Sequence, residues 1–252
     1  MPAEKLAKQT SNLTAKAFME KLCSCQSDIE RVKIQRYFKS DNGTPDEFLG
    51  VSMGQVFEIA KAYIDLPIEE IEVLLKNKIH EARVGAVSIM DFKARSKKIA
   101  EIERKALFEL YLNQHQHINN WDLVDRAAPH VIGAYLWDKD REILYQLALS
   151  DNMWERRTAI VSTAFFIKHK QIEDTFKIAE ILVNDSADLI HKAAGGWIRE
   201  AGKKNKNRLI SFLEKHAANM PRVMLRYAIE HFEPAEKSHY LGLKNAVKSL
   251  RR

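Results

Sequence analysis

The sequence predicts an all-α protein built as a curved α-solenoid of antiparallel helix pairs, and three observations predict this fold class. Apolar residues recur at the spacing of one helix face, as in Val56, Ile59, Ala60 and Tyr63. The 252 residues contain only 9 Gly and 6 Pro, which argues against a turn-rich β-architecture. A weak internal repeat recurs at intervals typical of stacked helix pairs.

The repeat consists of a polar residue followed two positions later by a small one. The pairs are Arg83/Gly85, Asp125/Ala127, Arg157/Ala159, Lys192/Ala194 and Arg226/Ala228, at intervals of 42, 32, 35 and 34 residues. The small residue lets its helix approach a neighbour, while the polar residue projects elsewhere, toward a shared face. We therefore expect a single domain over residues 1–252 whose concave groove is lined by these polar side chains. Chance similarity among amphipathic helices is the alternative explanation.

Positive charge is concentrated at the carboxyl end of the chain. The formal net charge is +6, but residues from 199 onward contain 13 Lys/Arg and 5 Asp/Glu, a balance of +8, whereas the rest contains 27 against 29, a balance of −2. A basic segment on a near-neutral body is typical of a protein that binds a polyanion. A solvated lysine-rich tail is the alternative.

Other features argue against a membrane, secreted or metal-binding protein. No apolar run approaches the roughly 20 residues that cross a bilayer, and MPAEKLAKQT lacks the apolar core of a secretion signal. Cys23 and Cys25 are one residue apart, which suits neither a helical disulfide nor a zinc site. We expect a cytoplasmic monomer, nucleoid-associated in use, with no cofactor, no metal and no membrane contact.

Asp125 is the one anion among the repeat positions, and an anion weakens the affinity of a surface for phosphates. It either forms a salt bridge, with Arg126, Arg157 or another neighbour, or stabilises positive charge on a substrate. Trp121 precedes Asp125 by one helical turn and Trp154 precedes Arg157 by three residues, so each pair shares a face. A tryptophan beside a carboxylate suits a cationic base or an electron-poor sugar, and core packing is the alternative for any single tryptophan.

Several segments resemble the HEAT-like repeat DNA glycosylases of the AlkD type, the DNA alkylation repair family. They are NNWDLVD at 119–125, SDNMWERRTAI at 150–160 and HKAAGGWIREAGK at 191–203, together with RYFK at 36–39 and FLGV at 48–51. The resemblance covers most of the chain. It implies a C-shaped array of HEAT-like helix pairs around duplex DNA, in which N3- and N7-alkylated purines are removed without base flipping.

The same resemblance implies roles for individual residues. Trp121 would pack on the deoxyribose of the lesion, Asp125 would support the oxocarbenium-like sugar and position water, and Arg157 would contact the DNA backbone. Tyr37 matches a tyrosine on the family's first helix. The other predicted DNA-binding residues are Trp154, Arg83, Lys192, Trp197, Arg199, Lys203, Lys204 and Arg226.

Two features depart from the family pattern. The family reads K-A-x-G-W-x-x-R-E, so Gly196 stands at the place of the second aromatic wall of the cleft. Trp197 follows one residue later, about 100° round a regular helix, and only a helix distortion at the glycine pair would restore its direction. The second departure is an insertion, SDNGTPDE, whose turn formers predict either a loop or a short β-hairpin over residues 40–51, beside or inside the groove.

The sequence thus predicts a DNA-binding protein that recognises damaged, distorted or branched DNA through a basic concave groove. The alternative within the family is a DNA glycosylase that excises alkylated purines with Trp121 and Asp125. The alternative from another class is a non-catalytic HEAT scaffold for a protein partner, whose basic tail is incidental. The expected partner in the first two cases is double-stranded or branched DNA.

Overall fold

The computed structural model is all-α, which confirms the predicted fold class. It describes residues 13–36 and 46–250, with side chains to residue 243, and within these ranges the chain forms fourteen α-helices and no strand. The chain divides into two compact units, Met1–Ile132 and Gly133–Arg252. That residues 1–252 form one domain stays a prediction.

The first unit is organised around one long buried helix. Its helices are α1 (Ala15–Cys23), α2 (Asp28–Gln35), α3 (Met53–Ala62), α4 (Ile68–Leu75), α5 (His80–Arg95), α6 (Glu101–Asn113) and α7 (Trp121–Ala127). In α5, thirteen of the sixteen residues are buried, because the helix packs against α1, α3, α4, α6 and α7. Polar residues inside α5 therefore face protein rather than water, and each needs a partner.

The end of α7 changes from α-helical to π-helical geometry over Ala128–Gly133. Pro129 lies in this turn and has no N–H to give to the regular hydrogen-bond ladder. A π-helical turn widens the helix locally and occurs often beside functional residues. Here it follows directly on the helix that carries Trp121 and Asp125.

The second unit contains the remaining helices. They are α8 (Glu142–Ala148), α9 (Met153–Lys168), α10 (Glu173–Ile181), α11 (Asp188–Gly202), α12 (Lys206–His216), α13 (Arg222–Ala228) and α14 (Pro234–Leu250). The helices that contain the sequence repeat pack in order, α9 on α11 and α11 on α13. The same relation holds in the first unit, where α5 packs on α7.

The small residues of the repeat occupy close helix contacts, as the spacing predicts. All five are buried: Gly85, Ala127, Ala159, Ala194 and Ala228. A Cβ atom on Gly85 would lie 2.3 Å from the ring of Phe18, so α1 approaches α5 at a distance that only glycine allows. The polar positions are less uniform, because Arg83 and Arg157 are buried while Asp125 and Arg226 are exposed. The structure therefore has the expected exposed polar side chain at Asp125 and Arg226 but not at Arg83 and Arg157.

The predicted hairpin does not form in the described part of residues 40–51. Residues 40–45 lie outside the described ranges, and residues 46–51 contain one isolated parallel bridge, from Glu47 to Ile79. The reason is a competing acceptor, since the buried carboxylate of Glu81 takes hydrogen bonds from the N–H groups of Leu49, Gly50 and Val51 at 2.8 to 3.2 Å. These backbone groups are satisfied by α5 instead of by a partner strand.

Candidate nucleic-acid interface

Helix α7 presents Trp121 and Asp125 to solvent. The helix begins after Asn120, whose side chain accepts a hydrogen bond from the Trp121 N–H at 2.8 Å. Its apolar residues Leu123 and Val124 are fully buried, whereas Asp125 is exposed and 38% of Trp121 is accessible. An aromatic ring and a carboxylate thus stand one helical turn apart on an open face, as the spacing predicts.

The rotation of α7 about its axis is set by a ladder of polar contacts to α5. Asp122 contacts His80 at 2.7 Å, and Arg126, one turn later, donates to the hydroxyl of Ser88 at 3.1 Å. Asp122 and Arg126 follow Trp121 and Asp125 by one residue each, which is about 100° round the helix. The contacts of Asp122 and Arg126 hold their side of α7 against α5. Trp121 and Asp125 therefore point away from α5.

A buried carboxylate on α5 anchors the Arg126 end of this ladder of contacts. Asp91 is inaccessible to solvent and lies 2.9 Å from Arg95, 3.3 Å from Arg126 and 2.9 Å from His130. The Arg126 guanidinium also lies over the rings of Phe57 and Phe92, at 4.5 and 4.6 Å from their centroids. These aromatic faces hold the cation in place.

Arg126 is one of the neighbours that the sequence offers as a salt-bridge partner for Asp125. Its guanidinium is committed to Asp91, to the Ser88 hydroxyl and to two aromatic rings. The local sequence does not show which carboxylate Arg126 pairs with, because Asp125 is its neighbour in the chain whereas Asp91 is thirty-five residues away.

His80 links the Asp122 end of the ladder to the segment before α3. Its ring contacts Asp46 at 3.1 Å as well as Asp122, and it is fully buried. Burial by itself lowers the pKa of His80, but the hydrogen bonds to Asp122 and Asp46 outweigh burial and raise the pKa to about 9. Burial raises the pKa of Asp46, but the hydrogen bond to His80 and the charge of Arg83 lower it to about 2. His80 is therefore protonated and Asp46 ionised at neutral pH.

The burial of Arg83 argues against the predicted direct contact with DNA. Its side chain is 6% accessible, and it forms an ion pair with Asp46 at 2.5 Å. Sequence reasoning also missed His80, Asp91 and Asp122 as positioning residues. The available signal was their place in and beside α5, where a charged residue inside a mostly apolar helix requires an ionic partner.

In the second unit, α9 carries Trp154 and Arg157. Asn152 caps the helix by accepting from the Trp154 N–H at 2.9 Å, and Trp154 is half-buried. Arg157 is only 8% exposed and donates from Nη1 to the carbonyl oxygen of Leu189 at 2.9 Å. Arg157 thus connects α9 to the first turn of α11, a structural contact that sequence spacing did not predict.

Helix α11 continues without a break through its two glycines. A Cβ atom on Gly195 would lie 2.5 Å from the carbonyl oxygen of Met224 and 2.8 Å from Cβ of Tyr227, so α13 packs directly on this glycine. A Cβ atom on Gly196 would meet nothing within 4 Å. The helix distortion that would redirect Trp197 is absent from α11, which is regular over Asp188–Gly202. Trp197 follows the open position at Gly196 and is half-buried.

Several of the predicted DNA-binding cations of the second unit already have carboxylate partners. Lys192 pairs with Asp188 at 2.6 Å, and this hydrogen bond raises the pKa of the lysine. Arg199 pairs with Glu230 and with Glu200, and Lys203 pairs with Glu200 at 2.7 Å. The other two, Lys204 and Arg226, are exposed. Tyr37 lies outside the described residues.

The described residues offer neither a metal site nor a membrane span. Within residues 13–36 and 46–250, no group of three or more His, Cys, Asp or Glu side chains could hold a metal ion. No helix in that part of the chain has the length and apolar character needed to cross a membrane.

Comparisons with known proteins agree with the all-α fold and indicate a family. The sequence profile of a family described as DNA alkylation repair enzyme matches residues 18–232. The structure is similar to that of a predicted DNA alkylation repair enzyme from Enterococcus faecalis, with a TM-score of 0.65 and 15% sequence identity, over 83% of this chain and 97% of that one. None of the curated proteins matches the sequence.

Proposed function

The chain belongs to the DNA alkylation repair enzyme family, and from that premise we propose that it binds damaged, distorted or branched DNA. One observation carries this proposal: Trp121 and Asp125 stand exposed one turn apart on α7. Stacking on a sugar or base would bury the accessible part of Trp121, which is 38% of the residue.

The contacts of α7 support the same proposal. A helix of seven residues is too short to hold its own orientation, and in this chain ionic contacts at Asp122 and Arg126 fix it. Preorganisation of this kind lowers the cost of binding because the exposed pair does not have to be ordered by the ligand. The basic residues of the second unit, including Lys204 and Arg226, supply attraction for phosphates.

Base excision is the second candidate function, and the exposed carboxylate of Asp125 favours it. A carboxylate next to a lesion sugar stabilises the positive charge that develops as the glycosidic bond breaks. The open position at Gly196 weighs against excision because glycine supplies no aromatic side chain at the place where the family pattern has one. We therefore propose DNA recognition as the principal activity.

A binding panel tests the proposal. Plain, nicked, alkylated and branched duplexes are titrated with the protein at several salt concentrations, and affinity should fall steeply as salt rises. Trp121→Ala should weaken binding, whereas the matched control Ile102→Ala, which removes an 81% exposed side chain from α6, should not. Failure to bind any of these DNA forms at low salt would refute the proposal and favour a protein-binding scaffold.

An excision assay separates the two candidates. Release of 3-methyladenine and 7-methylguanine from methylated DNA is measured for the wild type, Asp125→Asn and Gly196→Trp. Gly196→Trp should gain excision if the missing wall is the only defect. If the wild type already excises and Asp125→Asn abolishes release while DNA binding survives, then the non-catalytic function is wrong.

A further inference from the structure

A pocket of about 690 Å³ opens in the second unit. It lies between the loop that joins α9 to α10 and the loop that joins α11 to α12. Four of its lining residues are basic: Arg141, Lys170, Lys203 and Lys204. The pocket begins beyond the last residue of α9, which is about 16 Å along the helix axis from Arg157.

Its two acidic lining residues are neutralised by arginines. Asp174 lies 2.6 Å from Arg141, and Glu173 lies 3.1 Å from Arg208. Lys170 and Lys204 are exposed, and no carboxylate lies within ion-pair distance of either in the described part of the chain. The pocket therefore has an excess of positive charge.

Lys170 has a backbone conformation that a lysine adopts only at a cost. Its φ is 65°, and within the described residues it is the one non-glycine residue with a positive φ. It follows α9 in the arrangement typical of a glycine: its own N–H bonds to Ile167 and the Gln171 N–H bonds to Phe166, each at 3.0 Å. A basic side chain thus stands on the wall of a cationic pocket at a backbone position where glycine is favoured.

The amino end of α10 completes the wall. Its N-cap residue, Ile172, lines the pocket and offers no side-chain acceptor to the first turn. A helix amino end carries partial positive charge, which favours an anion. The first turn of α10 also contains Glu173 and Asp174, and the arginines paired with them leave the two lysines and the helix amino end to favour an anion.

We propose that this pocket binds phosphate groups of a DNA strand, as a second contact apart from Trp121 and Asp125. The inference rests on the proposed function, because it assigns the phosphates to DNA. It adds a binding site in the second unit, whereas Trp121 and Asp125 belong to the first.

Lys170→Gly tests this proposal because stability and binding should change in opposite directions. The variant relieves the backbone conformation, so its Tm should rise. Its DNA affinity should fall about fivefold, the upper range for one exposed ion pair. The slope of log affinity against log salt should also become shallower by about 1. Lys204→Ala should show the same loss of affinity.

The matched control is Lys177→Ala, which removes an exposed lysine from α10 outside the pocket and should leave affinity unchanged. If Lys170→Gly and Lys204→Ala both bind DNA like the wild type, the pocket is not a phosphate site and only this inference fails. If the wild type binds no DNA, the proposed function fails as well. Inorganic pyrophosphate should raise the Tm of the wild type but not that of the Lys170→Gly, Lys204→Ala double variant, and equal shifts in both would also refute the pocket.

Discussion

The adjacent glycines of α11 should respond in opposite ways to the same substitution. Alanine in place of glycine inside a helix stabilises it by about 1 kcal/mol. At Gly196 nothing lies within 4 Å of the new Cβ atom, so Gly196→Ala should raise the free energy of unfolding by that amount.

At Gly195 the same change introduces a steric conflict. The new Cβ atom would lie 2.5 Å from the carbonyl oxygen of Met224, and a backbone atom cannot move aside as the tip of a side chain can. Overpacking of this kind costs about 1 to 3 kcal/mol, and the upper end applies here because backbone must shift. After the helix gain, Gly195→Ala should destabilise the protein by about 2 kcal/mol, roughly 3 kcal/mol below Gly196→Ala.

Urea denaturation followed by circular dichroism measures both variants. The midpoints should move to opposite sides of the wild-type midpoint with unchanged m-values. Equal stabilisation of both variants would show that α13 does not pack on Gly195. Destabilisation by Gly196→Ala would show that the position is not open, and the argument about the missing aromatic wall would then fail.

Three further predictions concern the first unit. Since the pKa of His80 rises from 6.5 to about 9 on folding, its stabilisation is complete below pH 6.5 and is lost as pH rises through 9. The loss amounts to roughly 3 kcal/mol at most. Urea denaturation at pH 6 and pH 9 should show it in the wild type but not in His80→Gln, and an identical pH dependence in both would contradict the assignment. Asp91→Asn should destabilise by about 3 kcal/mol because it removes the buried charge with which the Arg126 and Arg95 guanidinium groups are paired. Glu58→Gln, at an exposed ion pair with Lys61, should change stability by less than about 1 kcal/mol, and a similar small loss for Asp91→Asn would refute the cluster's role. Gly50→Ala should prevent stable folding or lower Tm sharply, because its φ is 82° and a Cβ atom would lie 2.1 Å from the Ser27 carbonyl oxygen; an unchanged melting curve would show that the 46–51 segment does not pack there.

The sequence by itself determined the helical fold class and the family. Helical periodicity and the repeat depend on local spacing, so they can be read without coordinates. The same is true of the turn that separates Trp121 from Asp125, since both lie in one helix. The small repeat residues were also predictable, because a close helix contact excludes larger side chains.

Only the tertiary structure decided which polar residues were available for a ligand. Arg83 and Arg157 have the residue type and spacing of a DNA contact, but partners distant in the sequence, Asp46 and Leu189, bury them. The role of His80 depends on Asp122, forty-two positions away, and the cost at Lys170 depends on a backbone angle. Ion pairs and pockets join segments far apart in the chain, so their formation depends on how helices pack, and local patterns do not encode it.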